Sequence, residues 1–202
     1  MKDSIKFYFV CVSPWSYLAL NELKTISLRH NCNVIFKPID VVQLWKQTGA
    51  GKALNDRPKI LLSYRLFELE RWKLWRDLEF NSQPKYHPVS YNLSSSVIVC
   101  GIELGINPFE ITKALMRGCW VDEKNISDHN DVSSIIQSLD LDTKTIMDNA
   151  TSENVKEVIS QNTQEAFSDG IWSVPSFVVN NEPFFGQDRL EMIDWHLSLQ
   201  SS

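Results

Sequence analysis

The apolar run Ile5–Val12 stops at Ser13-Pro14-Trp15-Ser16 and passes directly into a helical pattern. No other segment limits the fold as much. A strand that turns sharply into a helix leaves the helix's first N–H groups unpaired and aims them at whatever lies over the turn. Such a junction is built to hold an anion. Proteins that exchange disulfides place Cys-x-x-Cys at this spot, because the helix end lowers the pKa of the first thiol. This chain has Ser13 and Ser16 at the two positions. The disulfide chemistry is gone and the anion site remains.

The rest of the pattern places that junction in a fold. Ile5–Val12 is rich in β-branched and aromatic residues and reads as a buried strand. Trp15–Arg29 has apolar residues at helical spacing, and Asn33–Pro38 reads as a second strand, which together make a βαβ start. Arg57–Asp77 is a predicted helix, with Tyr64, Phe67 and Trp72 expected inside. Asn92–Leu104 is predicted as a helix behind an Asn cap. Asn107-Pro108-Phe109-Glu110 supplies a cap, a first-turn proline and a capping-box Glu, so a helix begins at Pro108. Shorter helices are predicted near Val132–Leu139 and Thr143–Asn149, and a longer one over Ser152–Ser168, closed by Gly170. Strands return at Ser176–Val179 and Pro183–Phe185 around Asn180-Asn181, a two-residue hairpin turn, and Gln187–Leu199 is a final helix. The sum is an α/β, thioredoxin-like domain (1–40 plus 170–202) with a large α-helical insertion (41–169). The insertion's last helix, about 152–168, is free to pack with the thioredoxin-like part.

Composition narrows the function classes. The chain has 202 residues, 43% hydrophobic, with a formal charge of −5 and no Lys/Arg-rich block, so neither nucleic acid nor an anionic membrane is an expected partner. Phe7–Leu20 is too short to span a bilayer and, with Pro14-Trp15-Ser16 inside it, does not read as a signal segment. Cys11, Cys32, Cys100 and Cys119 lie far apart and form no metal or redox pair, which suits a reducing cytoplasm. Cys11, two residues before Ser13, is expected to be buried and inert. His30, His87, His129 and His196 lack ligand spacing and read as surface or packing residues, so no metal is expected. Most of the seven tryptophans are expected in the core, with Trp15 as the exposed exception over the junction.

Three elements could carry chemistry. Ser13 is either an ordinary N-cap or a donor to a bound anion. Val174-Pro175, just before a strand, is either a trans X-Pro or a cis one facing the junction, with the residue before it offering its backbone to a peptide. In Phe184-Phe185-Gly186-Gln187-Asp188-Arg189, Gly186 permits close backbone approach, and Asp188 either caps a helix or pairs with an α-amino group.

The stretches F-Y-F-x-x-x-S-P-W-S-Y-L-A, E-R-W and V-P-S-F-V-V-N-N-E-P-F-F-G-Q-D-R-L resemble the 2-hydroxychromene-2-carboxylate isomerases. These are glutathione-dependent enzymes of bacterial aromatic-ring degradation, related to kappa-class glutathione transferases and the DsbA fold. The resemblance covers essentially the whole chain and is strongest at both ends. It implies that Ser13 is catalytic and faces the glutathione sulfur. Val174 would pair with the cysteinyl unit of glutathione, and Phe185, Gly186, Gln187 and Asp188 would hold its γ-glutamyl end. Trp45, Lys46, Asn55 and Tyr86 match substrate-side positions, and Arg65 or Lys46 could meet the substrate carboxylate. Two departures are visible: Val10 stands where many members have Asp, and Thr48-Gly49-Ala50 replaces a common T-G-N. Dimers are usual in the related families, so a homodimer is expected.

The implied reaction converts a cyclic hemiketal carboxylate into trans-o-hydroxybenzylidenepyruvate. A thiolate adds to the conjugated carbon, the new single bond rotates, and elimination restores the double bond. Lowering a thiol from a pKa of about 8.5 by two units takes roughly 2.7 kcal/mol. A hydrogen bond to a charged acceptor supplies about 1.5–3 kcal/mol and a helix N-terminus about 0.3–1. Ser13 with its helix suffices. A kappa-like transferase or peroxidase acting on other electrophiles is the alternative enzyme, and a glutathione- or peptide-binding module the alternative outside catalysis.

Overall fold

The computed structural model describes residues 4–199, apart from the side chain of Asn55. A four-stranded sheet is built from β1 (Ser4–Phe9), β2 (Asn33–Pro38), β3 (Ser176–Val179) and β4 (Glu182–Phe185), in the order β2-β1-β3-β4. β1 and β2 run parallel, joined by α1 (Pro14–Arg29), while β3 is antiparallel to both β1 and β4. The hairpin turn lies at Asn180-Asn181, both at positive φ (50° and 65°), as a two-residue turn between twisted strands demands. Between β2 and β3 come α2 (Val41–Thr48), α3 (Lys59–Trp75), α4 (Asn92–Glu103), α5 (Pro108–Trp120), α6 (His129–Gln137), α7 (Thr143–Asn149) and α8 (Glu153–Ser168), and α9 (Leu190–Ser198) ends the described chain. This is a DsbA-like thioredoxin fold.

Alternation along β1 divides the interior. Ile5, Phe7 and Phe9 face one core with Phe177, Val179, Leu18, Leu23 and Ile193, and Phe7 stacks on Phe9 and Phe177 at 4.5 and 5.3 Å. Tyr8 and Val10 face a second core with Val178, Ile39, Leu44 and Ala166, beneath α2 and α8. α8 is tied to the sheet by polar groups as well. Tyr8 Oη donates to Asp169 at 2.7 Å, Lys6 pairs with Glu165 and Asp169 at 2.8 Å, and Lys37 pairs with Glu165 at 2.7 Å.

Local chemistry explains most helix starts. Asp40 accepts from Val42 and Gln43 N–H at 3.0 Å and starts α2, a short helix absent from the sequence expectation. Asn107, Asp128, Asp142 and Ser152 cap α5, α6, α7 and α8 in the same way. α4 departs from expectation: Asn92 is its first residue and Tyr91, with no side-chain capping bond, takes the cap position.

α3 corrects the expected core. Tyr64 and Phe67 are 57% and 64% exposed, Trp72 is half-buried, and Leu69 alone among the described residues of α3 is fully buried. Apolar residues are spread around its whole circumference, so no single face can bury them all. The tryptophan expectation fails too. Trp120 is fully buried, Trp15, Trp45 and Trp72 are half-buried, and Trp75, Trp172 and Trp195 are exposed. Large amphipathic rings sit at edges and walls here, because the aliphatic and Phe side chains already fill the two cores. Replacing Leu69 by Ala should destabilise the protein by about 2–5 kcal/mol, the range for a buried leucine. Leu74→Ala, at a 78% exposed position, should stay within about 0.5 kcal/mol of the parent in the same denaturant titration.

Candidate active site

Ser13 sits between β1 and α1 in extended conformation (φ −87°, ψ 116°) and is nearly buried. Its carbonyl accepts from Ser16 and Tyr17 N–H at 3.1 and 3.2 Å, and its Oγ accepts from Ser16 N–H at 3.2 Å. Ser13 is therefore the N-cap of α1, yet capping uses only a lone pair of the hydroxyl. Among the described residues nothing takes its O–H proton, and nothing takes the N–H of Trp15 in the first helical turn. Ser13 thus caps α1 with its O–H proton left without an acceptor among the described residues. Ser16, by contrast, is fully buried with an unpartnered Oγ.

Two cavities meet at this tip. The first, of about 210 Å³, has walls from Val10–Trp15, α2, residues 53–57, α3, residues 87–91 and Ser173-Val174. Its polar groups include Ser13, Arg57, Arg65, His87 and Tyr91, and among the described residues no carboxylate lines it. The second, of about 260 Å³, runs along Val174, Pro175, Phe185, Gly186, Gln187 and Asp188, with Glu68 and Trp72 of α3 opposite. Trp15 and Val174 line both. The Val174-Pro175 peptide is cis, the Pro175 carbonyl accepts from Gly186 N–H at 3.0 Å, and neither the N–H nor the carbonyl of Val174 has a partner among the described residues.

The far end of the second cavity rests on Gly186. With φ 104° and ψ 146° its backbone disfavours a side chain, and a Cβ would collide with Asp188 Oδ1. Gln187 and Asp188 belong to a short 3-10 turn, with α9 beginning only at Leu190. Asp188 makes no capping bond; it is exposed and pairs with Arg189 at 2.9 Å. The Gln187 side chain is buried, and both its Oε1 and its backbone carbonyl accept from Arg76 at 3.4 Å. Phe185 is partly exposed and packs on Trp172, their ring centroids 4.0 Å apart.

On the other side, Trp45 lines the first cavity and donates from Nε1 to Ser173 Oγ at 3.4 Å. Lys46 is exposed on α2 and lines neither cavity. The same holds for Tyr86, beneath whose ring Lys85 Nζ sits at 4.8 Å. The backbone of Asn55 belongs to a short turn (Leu54–Asp56), and its side chain lies outside the described set. Trp15 is half-buried between the cavities rather than freely exposed. Cys11 is fully buried, and burial pushes its thiol up to about 12.

Sequence reasoning missed Arg57 and Tyr91 and set His87 aside. His87 is a cavity wall, packed against Trp120 with ring centroids 4.7 Å apart. Burial, together with the charge of Arg65, pulls its pKa from 6.5 down to about 4, against a hydrogen bond to the Val12 backbone. Its imidazole is thus neutral near pH 7. The available signal was the His87-Pro88 pair directly before the cavity residues Val89 and Tyr91.

A serine-capped helix tip beside a cis X-Pro turn, in a mixed sheet with a helical insertion, defines a thioredoxin-like protein that has lost the redox cysteine pair. The chain belongs to the DSBA-like thioredoxin domain family, whose family model matches residues 4–198. It is 24% identical over 201 residues to a 2-hydroxychromene-2-carboxylate isomerase of Sphingobium xenophagum, covering 98% of this chain and 99% of that relative. A glutathione S-transferase kappa 2 of Caenorhabditis elegans is 23% identical over 206 residues, covering 94% of this chain and 89% of the relative. A solved structure of a 2-hydroxychromene-2-carboxylate isomerase superimposes with a TM-score of 0.82 at 20% identity, covering 98% of this chain and 96% of that one.

The depressed His87 has a consequence for stability. A base whose folded pKa lies below its unfolded value contributes stability that is full above about pH 6.5 and is lost as the pH falls towards 4. Between pH 7 and 4.5 the parent should therefore lose about 1–2 kcal/mol more than His87→Gln, a figure discounted for partial solvation. Equal losses in paired denaturation curves would remove this account of His87.

Proposed function

We propose that this chain is a glutathione-dependent isomerase interconverting 2-hydroxychromene-2-carboxylate and trans-o-hydroxybenzylidenepyruvate. The observation that carries the reading is the position of two free donors, Ser13 O–H and Trp15 N–H. They stand at a helix tip where a narrow cleft ending in Asp188 meets an apolar cavity. The cleft offers a tripeptide what it needs. The unpaired backbone groups of Val174 suit an extended chain, and the Asp188 carboxylate at the far end suits an α-ammonium group. Bound glutathione would supply the nucleophilic thiolate. Ser13 stabilises that anion by donating its proton as a hydrogen bond while its lone pair continues to cap α1. The apolar walls contributed by Val10, Val12, Val41, Val42 and Trp45 exclude water and suit a planar ring.

The named isomerase relatives support this chemistry, as they support the enzyme class. The kappa-class relative supports a second reading, transfer of glutathione to another electrophile at the same tip. The product separates them: a transferase leaves a stable conjugate, whereas an isomerase returns its thiol unchanged. Four buried cysteines outside any disulfide fit a reducing, cytoplasmic setting. The exposed Ile60, Phe67, Leu74 and Trp75 of α3 support a second copy of the chain as partner, which sedimentation would reveal as a homodimer. Among the described residues no helix is long and apolar enough to cross a membrane.

Chromene absorbance followed with and without glutathione tests the reading directly; turnover independent of the thiol overturns it. Ser13→Ala should lower turnover by ~10²-fold or more with little change in glutathione affinity, as expected for losing one donor to a developing charge. Asp188→Asn should act the other way, weakening glutathione binding about tenfold with turnover at saturation largely kept.

A further inference from the structure

The first cavity is electrically one-sided. Arg57 and Arg65 both line it, close enough to repel one another, while its remaining walls are mostly aliphatic and aromatic. Arg57 is held in place: its Nε and Nη2 both donate to the Lys52 carbonyl at 3.2 Å. Arg65, half-buried on α3, has no ion pair or hydrogen bond to any described group. The nearby acids are committed elsewhere. Asp40 accepts from Tyr91 Oη at 2.8 Å and caps α2, Glu68 pairs with Arg71, and Asp56 is exposed outside the cavity. His87, the other basic group on this wall, is neutral and adds no further positive charge. Leu54, Arg65 and His87 also line an outer cleft with Ser82 and Gln83, so Arg65 stands between that cleft and the apolar cavity.

An unpaired, partly desolvated guanidinium is costly unless something pairs with it. We propose that Arg65, supported by Arg57, is the anion-binding end of this cavity and selects planar aromatic carboxylates over their uncharged counterparts. The ring lies against the walls of Val10, Val41 and Trp45, and the carboxylate is gripped at the mouth by a planar fork of N–H donors that Lys cannot reproduce. Lys46, the other cation considered from the sequence, has no part in this, since it lines neither cavity. The proposal rests on the functional reading above only for placing the electrophile in this cavity, and binding measured without glutathione tests it separately.

The probes are chromone-2-carboxylate and chromone-2-carboxamide, titrated into the full chain by calorimetry at low salt without glutathione. The parent should bind the carboxylate at least tenfold more tightly than the amide. Arg65→Met should bring the two within about twofold by weakening the carboxylate alone, Arg65→Lys should recover part of the preference, and Arg57→Met should reduce it two- to fivefold. Equal affinities in the parent, binding of neither probe, or a preference that survives Arg65→Met would each overturn the assignment. The parent comparison needs no variant, so it decides the matter even if Arg65→Met fails to fold. A parent that prefers the carboxylate but never isomerises a chromene keeps the Arg65 assignment and discards the isomerase reading. An active isomerase without the preference does the reverse.

Discussion

The antiparallel register of β1 against β3 is the constraint on which the site depends. Ile5 faces Val179 and Tyr8 faces Ser176, so the chain leaving β1 towards Ser13 runs beside the chain that enters β3 through Val174 and Pro175. Two segments more than a hundred and fifty residues apart in sequence thereby become opposite walls of one cavity. The pairing is held by what lies beneath it. Phe7 stacks on Phe177, and a slip of β1 by one residue would turn Phe7 away from Phe177 and bring Lys6 and Tyr8 into that core.

The other face of the sheet holds the helical block in place by different means. Tyr8, Lys6 and Lys37 engage Asp169 and Glu165, while Asn162 and Thr163 of the same helix bond the Pro38 carbonyl and the Asp40 N–H at 3.2 and 2.9 Å. Burial and the bond to Asp169 keep the Tyr8 phenol protonated far above its usual range. These ties hold the β2-to-α2 connection, and α2 in turn supplies Val41, Val42 and Trp45 to the cavity. Precision at the site thus rests on polar anchoring behind the sheet as well as on apolar packing in front of it.

What could be read in the sequence is what neighbouring residues decide. Ser13-Pro14 at a strand-to-helix junction, the Asn107-Pro108 start and the Asn180-Asn181 hairpin are local and stand where the residues place them. α2 escaped although Val41, Leu44 and Trp45 stand at helical spacing, because eight residues are too short a stretch for that spacing to stand out. Tyr64 and Phe67 misled because a sequence shows that a residue is apolar and periodic, but not whether another element arrives to cover it. Much of the aromatic cavity escaped for the same reason. Arg57, His87 and Tyr91 come from separate segments of the insertion, and only the packing of α3 and the 87–91 loop against the α1 tip brings them to one wall. Lys46 is the other cation the resemblance offers for the carboxylate, yet α2 presents Trp45 to the cavity and leaves Lys46 outside.

Stability and function pull apart at Arg65. Desolvation and the neighbouring Arg57 charge draw its pKa from 12.5 to about 10, so keeping it charged works against the fold. An apolar residue there would extend the hydrophobic wall, and a nearby carboxylate would neutralise the charge; the cavity has neither. The α1 tip shows the same economy, with Ser13 capping its helix while leaving its proton unassigned. One apolar cavity therefore carries two unsatisfied positive features, a helix terminus and a guanidinium, and low surrounding polarity strengthens both. Both features lack a partner among the described residues and share a single cavity, the arrangement that the proposed reading asks of its two anion-binding ends.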